Sequence, residues 1–495
     1  MNPTPQNGTA IRPRWRRSIQ TAFLAALLGS GCAAGPDYKK PVSVVPPDWG
    51  WKVAQPADPS LRSDWWQLFG DPVLNDLEAR ATQANPGLQV AVARVDQSRA
   101  IARLDASEFF PQISFNPSVT YFQTAPTAWV YPLQKTATTL PLDLSYEVDL
   151  WGKVRRSLES ARSEAQANVA DYYQVLLTLH GDVAVNYFLL RQLDSQKALL
   201  REILAVREKC IQLITERFAS GLTSKMDLDR DLVELAHARN GVEEIERQRD
   251  ELQHALAVLC GEPAGAFAIA PAPLRSIAPA IPMGLPSTLL ERRPDVAEAE
   301  RRMAAANAQI GVAKAAFFPA IALTGAAGYS SFEASSLLNW ESRFFQFGPS
   351  MSLPLLNGGR LKSQISGARA AYRAACADYR AQVLKAFQEV TDSIISQQSY
   401  GQQSATQAEA VAATEHLAGL SQERYQSGLI NYLEVLDSKR IHLQTQFQWV
   451  QLQALQWVAT VHLVKALGGG FEAQILESKT MAQPLPDALP PGKKP

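Results

Sequence analysis

The residue most plainly placed for chemistry is Cys32. It follows Gly29, Ser30 and Gly31, which close an apolar run from Ile19 to Leu28 behind the basic cluster Arg12, Arg14, Arg16 and Arg17. A basic segment, a short apolar run and small residues read as an export signal. Small residues directly before a cysteine resemble a lipobox, in which the thiol is acylated and the cysteine becomes the first mature residue. The position three before it holds Gly29, and the nearest leucine is Leu28. The alternative is a plain signal peptide cleaved near Gly31 or Ala34. Ala33 follows the cysteine where an aspartate would favour retention in the inner membrane, so sorting to the outer membrane is expected. A covalent lipid on Cys32 is the only added group expected, with no other cofactor.

Other reactive residue types form no constellation. The six histidines are scattered, with no H-E-x-x-H, no Gly-Lys-Ser/Thr phosphate cradle and no G-x-S-x-G. An enzyme is therefore not expected, and Gly468–Gly470 reads as a helix stop. Cys210, Cys260 and Cys376 lack metal-type spacing and fall in helical patterns, where small buried apolar roles suit them; no metal site is expected. Lys+Arg and Asp+Glu are both 48, which leaves no basic footprint for nucleic acid. Beyond the signal no run of about 18 apolar residues occurs. A membrane crossing by the mature chain would have to use strands.

The elements around these residues come in duplicate. Phe109-Phe110-Pro111 recurs as Phe317-Phe318-Pro319, so that Phe318 stands 208 residues after Phe110. Trp151-Gly152-Lys153 recurs as Gly358-Gly359-Arg360, and Arg217-Phe218-Ala219-Ser220-Gly221-Leu222 as Arg424-Tyr425-Gln426-Ser427-Gly428-Leu429, both at a spacing of 207. One deletion between the first two landmarks reconciles the offsets. The division expected is a signal peptide 1–31, an anchored extension 32–63, a first repeat 64–262, a linker 263–286, a second repeat 287–470 and a disordered tail 471–495. Each repeat reads as helix, strand pair (112–149 and 320–355), very long helix, tight turn (217–224 and 424–431) and helix.

The strand segments alternate. Ile113, Phe115, Val119 and Tyr121 interleave with Ser114, Asn116, Ser118 and Thr120. Leu140, Leu142, Leu144, Tyr146 and Val148 interleave with Asp143, Ser145 and Glu147. The second repeat carries matching runs from Ile321 to Tyr329 and from Phe345 to Leu353. Period two gives one apolar and one polar face, and about ten residues suffices for a tilted transmembrane strand. A half-buried soluble sheet gives the same pattern; the export signal and the anchor favour the membrane. Four strands cannot close a barrel, so several chains must share one.

After Trp151-Gly152 the pattern is helical for about 65 residues, roughly 100 Å, without proline until after Glu262. Val169, Leu176, Val183 and Leu190 are spaced by seven, as are Tyr172, Leu179, Asn186 and Leu193. This is a heptad seam, with Asn186 as a polar interruption of the kind that fixes register. At the turns, Gly221 and Gly428 suit a positive φ. Ser224-x-x-Asp227 and Asn431-x-x-Glu434 suit capping boxes. That chemistry does not call for the repeated Arg, aromatic and Leu, which suit partner docking on an exposed tip.

These features together resemble the TolC-like outer-membrane factors, in particular the NodT-type lipoprotein branch of efflux channels. The most specific stretches are Cys32–Tyr38, Leu289–Val296, Tyr146–Gly152, Ala316–Pro319, Arg424–Gly428 and Leu433–Asp437. The resemblance implies a mostly α fold with a membrane β-barrel portion: a homotrimeric barrel with four strands per chain, a long periplasmic α-helical barrel and a small equatorial domain. It implies a passive exit duct of a tripartite efflux pump in the outer membrane, projecting into the periplasm. Its partners would be outer-membrane lipids, a periplasmic adaptor and an inner-membrane transporter. The same scaffold serves type I secretion and metal-ion export; a structural periplasmic coiled-coil lipoprotein is the reading from another class. Adaptor docking would fall on Arg217, Phe218, Gly221, Leu222, Arg424, Tyr425, Gly428 and Leu429. A periplasmic gate would fall on Glu434 and Asp437, as stacked carboxylate rings, with Tyr425 beside them. Some relatives carry an arginine two residues after the tip glycine; here Ile430 stands there. The repeat partner of Asp437 is Arg230, so the halves differ at this point.

Overall fold

The computed structural model describes residues 33–39, 64–123, 134–274, 292–471 and 476. The export signal, Cys32, the linker beyond Leu274 and nearly all of the tail lie outside the described residues. Seven helices are used below: α1 (Pro72–Ala84), α2 (Pro86–Ser107), α3 (Lys153–Ala219), α4 (Lys225–Leu259), α5 (Pro294–Ala315), α6 (Arg360–Gln426) and α7 (Tyr432–Ala466). The strands are β1 (Gln112–Phe115), β2 (Ser118–Gln123), β3 (Gln134–Glu147), β4 (Ala320–Ser331) and β5 (Arg343–Ser352). Helices α3 and α6 are both 67 residues long, and α4 and α7 both 35. The duplication is thus carried into the lengths of the elements. No described helix is long and apolar enough to cross a membrane.

The chain divides into two compact units. The first comprises Met1–Lys40, Ser98–Ala165 and Arg302–Cys376. It holds one antiparallel sheet in the order β1-β3-β4-β5, with β2 also pairing β3. Four strands are expected from the alternation. The structure breaks the first of them at Asn116-Pro117, where proline has no N–H to give to a ladder; β1 and β2 together lie along β3. The hairpins repeat in register: Gln112 faces Ser145 and Ala320 faces Ser352. The first strand has shifted by 208 and the second by 207, which places the one-residue deletion in the hairpin connection. The halves meet where Trp151 Nε1 donates to the Pro319 carbonyl at 2.8 Å and its ring stacks on Phe318 at 4.8 Å. The first turn of α3 is held by the Asp149 carboxylate, which accepts from Val154 N at 3.2 Å and Arg155 N at 3.0 Å. Along the outer edges, β1 with β2 on one side and β5 on the other, no described strand completes the ladder.

The second unit comprises Pro41–Gln97, Gln166–Arg301 and Ala377–Pro495 and contains the main apolar core. Trp65, Leu74, Leu77, Tyr172, Leu190 and Leu463 are all nearly inaccessible there. Six of the eight heptad positions of α3 are buried, Leu176 being only partly so. Asn186 departs from its expected role, because its amide donates to the Asp182 carbonyl of its own helix at 2.7 Å.

Two sets of buried charged groups fasten segments to this core. Asp194 accepts from Arg249 Nε at 2.6 Å, Arg191 Nη1 at 3.1 Å and Ala272 N at 3.1 Å. The two arginines also donate to the carbonyls of Ile269 and Ala270, each at 2.7 Å. One carboxylate therefore pins the segment after α4 onto the α3–α4 pair. Arg293 does the same for the second repeat, bonding Asp295, Glu389 and the Ala466 carbonyl. Among the histidines, His180 is buried with its Nδ1 2.7 Å from Glu78 Oε2 and its ring stacked on Trp66. Burial pushes the Glu78 carboxyl well up and His180 down to about 3, so desolvation works against the charged form of each.

Replacing Asp194 by alanine leaves two buried guanidinium groups without their carboxylate, at a cost of about 3–5 kcal/mol. Removing the Ser195 hydroxyl, which accepts from Leu274 N at 2.9 Å, costs about 1 kcal/mol. Thermal melts followed by circular dichroism are expected to rank D194A far below S195A; equal melting temperatures would contradict the pinning role.

Candidate functional site

The two helix–helix turns, both in the second unit, are built alike. Helix α3 ends with Gly221 at φ 73° and α6 with Gly428 at φ 74°. Gly221 N donates to the Phe218 carbonyl at 2.9 Å and Leu222 N to that of Arg217 at 2.8 Å. Gly428 N and Leu429 N donate to Tyr425 and Arg424 in the same way, both at 2.9 Å. This is the paired closure of a Schellman motif, in which the glycine carries the left-handed residue. A Cβ at either glycine meets nothing within 4 Å, so backbone conformation and not space demands glycine there.

The motif explains a leucine after the glycine only if that side chain packs back on its own helix. Leu222 is 69% exposed and Leu429 68%. Phe218, Tyr425 and Met226 are exposed as well. The tips therefore present apolar side chains that their own fold does not cover. Met226 belongs with them and is absent from the sequence-level set; its place in the first turn of α4, two residues after the Ser224 cap, is the signal that would have found it.

The following helices start on side-chain caps. Ser224 Oγ accepts from Asp227 N at 3.2 Å, and the Asp227 carboxylate accepts in return from Ser224 N at 3.2 Å and Thr223 Oγ1 at 3.0 Å. These bonds, those from Ser224 foremost and with Arg230 contributing charge, hold the Asp227 carboxyl below its ordinary range. At the second tip Asn431 Oδ1 accepts from Glu434 N at 3.3 Å. The rings of Tyr425 and Tyr432 lie 5.2 Å apart across that turn.

Glu434 and Asp437 are both exposed, on the side of α7 away from the buried Val435, Leu436 and Ser438. They share a face, as their spacing requires, but they differ chemically. Asp437 Oδ1 receives Arg440 Nη2 at 2.7 Å and Nε at 3.0 Å. Arg440 also donates to Gln444 at 2.8 Å. The partner three residues on is a standard helical pairing that sequence reasoning could have named. The first turns of α7 come near the α3–α4 pair. Burial first, then Asp231 and also Asp437, push the Cys210 thiol up, with Arg207 and Arg440 opposing. Arg230, the repeat partner of Asp437, is exposed.

Cys32 itself lies outside the described residues, but the segment after it does not. In the first unit Ala34 N donates to the Trp151 carbonyl at 2.9 Å, Asn307 Nδ2 to that of Pro36 at 3.0 Å, and Arg156 to Asp37 at 2.5 Å. Gly35 and Gly311 touch backbone to backbone, and Ala33 sits on Gly152. The segment is thereby fastened where β3 gives way to α3. Among the described residues no group of three His, Cys, Asp or Glu is arranged for a metal ion.

The sequence matches the profile of the family described as "Outer membrane efflux protein" over residues 77–262 and 285–469, one stretch in each repeat. The toluene efflux pump outer membrane protein TtgF of Pseudomonas putida is 31% identical over 475 residues, spanning 92% of this chain and 98% of its own length. The outer membrane protein OprJ of Pseudomonas aeruginosa is 31% identical over 463 residues, spanning 91% and 96%. Among solved structures, the outer-membrane channel OprN superimposes with a TM-score of 0.81 at 28% identity, over 89% of this chain and 99% of that one.

The cap at the first tip is expected to be pH-sensitive. A carboxyl held low in the folded state stabilises above its unfolded pKa, and that contribution is lost as pH falls through the folded value. Amide exchange in the first turn of α4, corrected for its intrinsic pH dependence, is therefore expected to gain protection from below the carboxylate range up to neutrality. In S224A that gain shrinks, and exchange at neutral pH quickens by about fivefold, as loss of a cap worth about 1 kcal/mol requires.

Proposed function

Because the chain belongs to the outer membrane efflux protein family, we propose that it is the exit duct of a tripartite efflux pump, assembled as a homotrimer and tethered by lipid on Cys32. It performs no chemistry of its own. Small molecules delivered by an inner-membrane transporter through a periplasmic adaptor leave through its lumen. The observation that carries assembly with further copies is the sheet with two open edges; the number three is what the family resemblance implies. Backbone groups facing hydrocarbon must be paired, so the edges must be closed by other copies of the chain. The fastening of Ala33–Asp37 at the strand–helix junction supports the tether, since it leaves an acyl chain on Cys32 beside the end of the membrane strands. The uncovered Leu222, Met226 and Leu429 support adaptor docking on both tips, with Arg217, Phe218, Arg424 and Tyr425 around them and Gly221 and Gly428 shaping the turns.

The repeat supplies the register of the closure. Within one chain β3 pairs with β4, Asp143 facing Ala326 and Pro141 facing Gly328. Carried through the offsets of the duplication, the same relation sets Ser350 of one copy against Ser118 of the next, and Gly348 against Thr120. Two strands separate these residues within a chain, roughly 14 Å, too far for a disulfide. The pair S118C/S350C is expected to give covalent dimers and trimers on non-reducing gels, and T120C/S350C far fewer. Monomers alone, or equal yields from both pairs, would sink the closure.

We assign the periplasmic gate to Glu434, Asp437 and Tyr425. Arg440 already offsets Asp437, so Glu434 presents the less compensated carboxylate. Replacing both acids by lysine is expected to raise the conductance of purified trimers in planar bilayers severalfold and to relieve block by divalent cations. Unchanged conductance and block would remove the assignment.

A further inference from the structure

The sheet carries aromatic side chains on a face that has no use for them in a membrane. Register assigns each strand residue to a face. Val119 faces Thr138 and Thr138 faces Ser331; Leu142 faces Phe115 and Ala327, which faces Phe345. This is the apolar face, and Tyr121, Phe345, Phe347 and Met351 stand on it. The opposite face is lined by Ser118, Thr120, Thr139, Thr324, Ser330 and Ser350. At the hairpin ends this polar face changes character. Phe122 is on it, directly opposite Lys135, and the Phe332 ring packs 6.1 Å from that of Phe122 at 55°. The Lys135 ammonium lies 5.1 Å from the centre of the Phe332 ring. Phe344 follows on the same face, opposite Gly328.

Two bland explanations fail. An interfacial girdle requires aromatics on the lipid side, and Tyr121 and Phe345 already provide them there. Core packing requires burial, and Phe332 is 51% exposed. The helices α2, α3, α5 and α6 join the strands at their opposite ends, so this cluster lies at the end of the sheet remote from the helices.

We propose that Phe122, Phe332 and Lys135 form an aromatic, cationic collar at the outer mouth of the duct, selecting for aromatic and apolar cargo that is neutral or anionic. The inference rests on the trimeric reading, which turns the polar face inward and repeats the collar three times. An exposed ring face accepts flat apolar molecules by stacking. A lysine seated on a ring keeps its charge toward the lumen, and three of them around a low-dielectric opening concentrate anions and repel cations. The carboxylates Asp143 and Glu147 occupy the same face nearer the helices, and Glu333 the adjacent turn.

Thiol labelling of intact cells tests this without depending on the state of the periplasmic end. In F332C, a membrane-impermeant anionic methanethiosulfonate is expected to react on the order of fivefold faster than a cationic one of similar size. Adding K135E inverts the preference. F345C, on the lipid face, is expected to react only with a membrane-soluble maleimide. Equal rates for both charged reagents, no effect of K135E, or labelling of F332C by the lipid-soluble reagent alone would overturn the collar. Loss of the heat-modifiable trimer on gels would instead indict the trimeric reading, so the two failures are distinguishable.

Discussion

A backbone amide that faces hydrocarbon has no water to turn to, and this requirement organises the whole chain. The sheet, in which β1 and β2 share one edge, satisfies its interior ladders and leaves two edges open. Duplication answers part of the need: the β3–β4 ladder joins the first hairpin to the second, so one hairpin-to-hairpin seam lies within the polypeptide itself. Trp151 on Phe318 finishes that internal seam at the corner where strands become helices.

The second unit meets a different demand. Helices of 67 residues cannot be fixed by caps at their ends alone. The core around Trp65, Tyr172 and Leu190 supplies apolar burial along them, and the buried carboxylates fix where the adjoining segments attach. Asp194 and Arg293 are each satisfied by several partners at once. Such groups confer position more than net stability, since burying the ions costs much of what their attraction returns.

Local physics made much of this legible in the sequence. Gly221, Gly428 and the caps at Ser224 and Asn431 follow from turn chemistry, and the strands follow from alternation. The break at Asn116-Pro117 was equally readable, because proline cannot donate. The pairing of Arg440 with Asp437 obeys helical spacing and could have been named. What could not be read are contacts between residues far apart in the chain: Glu78 with His180, or Asp194 with Arg249. Composition gives no sign of them, because each group is ordinary until the fold removes it from water. Phe122 is an intermediate case. Its parity was visible, but its meaning depended on register across three strands.

The fastening of Ala33–Asp37 bears on why the two repeats could diverge. Gly152 is covered by this segment, whereas its repeat counterpart Gly359 meets nothing within 4 Å. In the proposed trimer, two hairpins in one chain would give six similar corners but only three such segments. In the proposed ring, corners covered by Ala33–Asp37 and uncovered corners would then alternate, so that a tether at Cys32 would act on every second one.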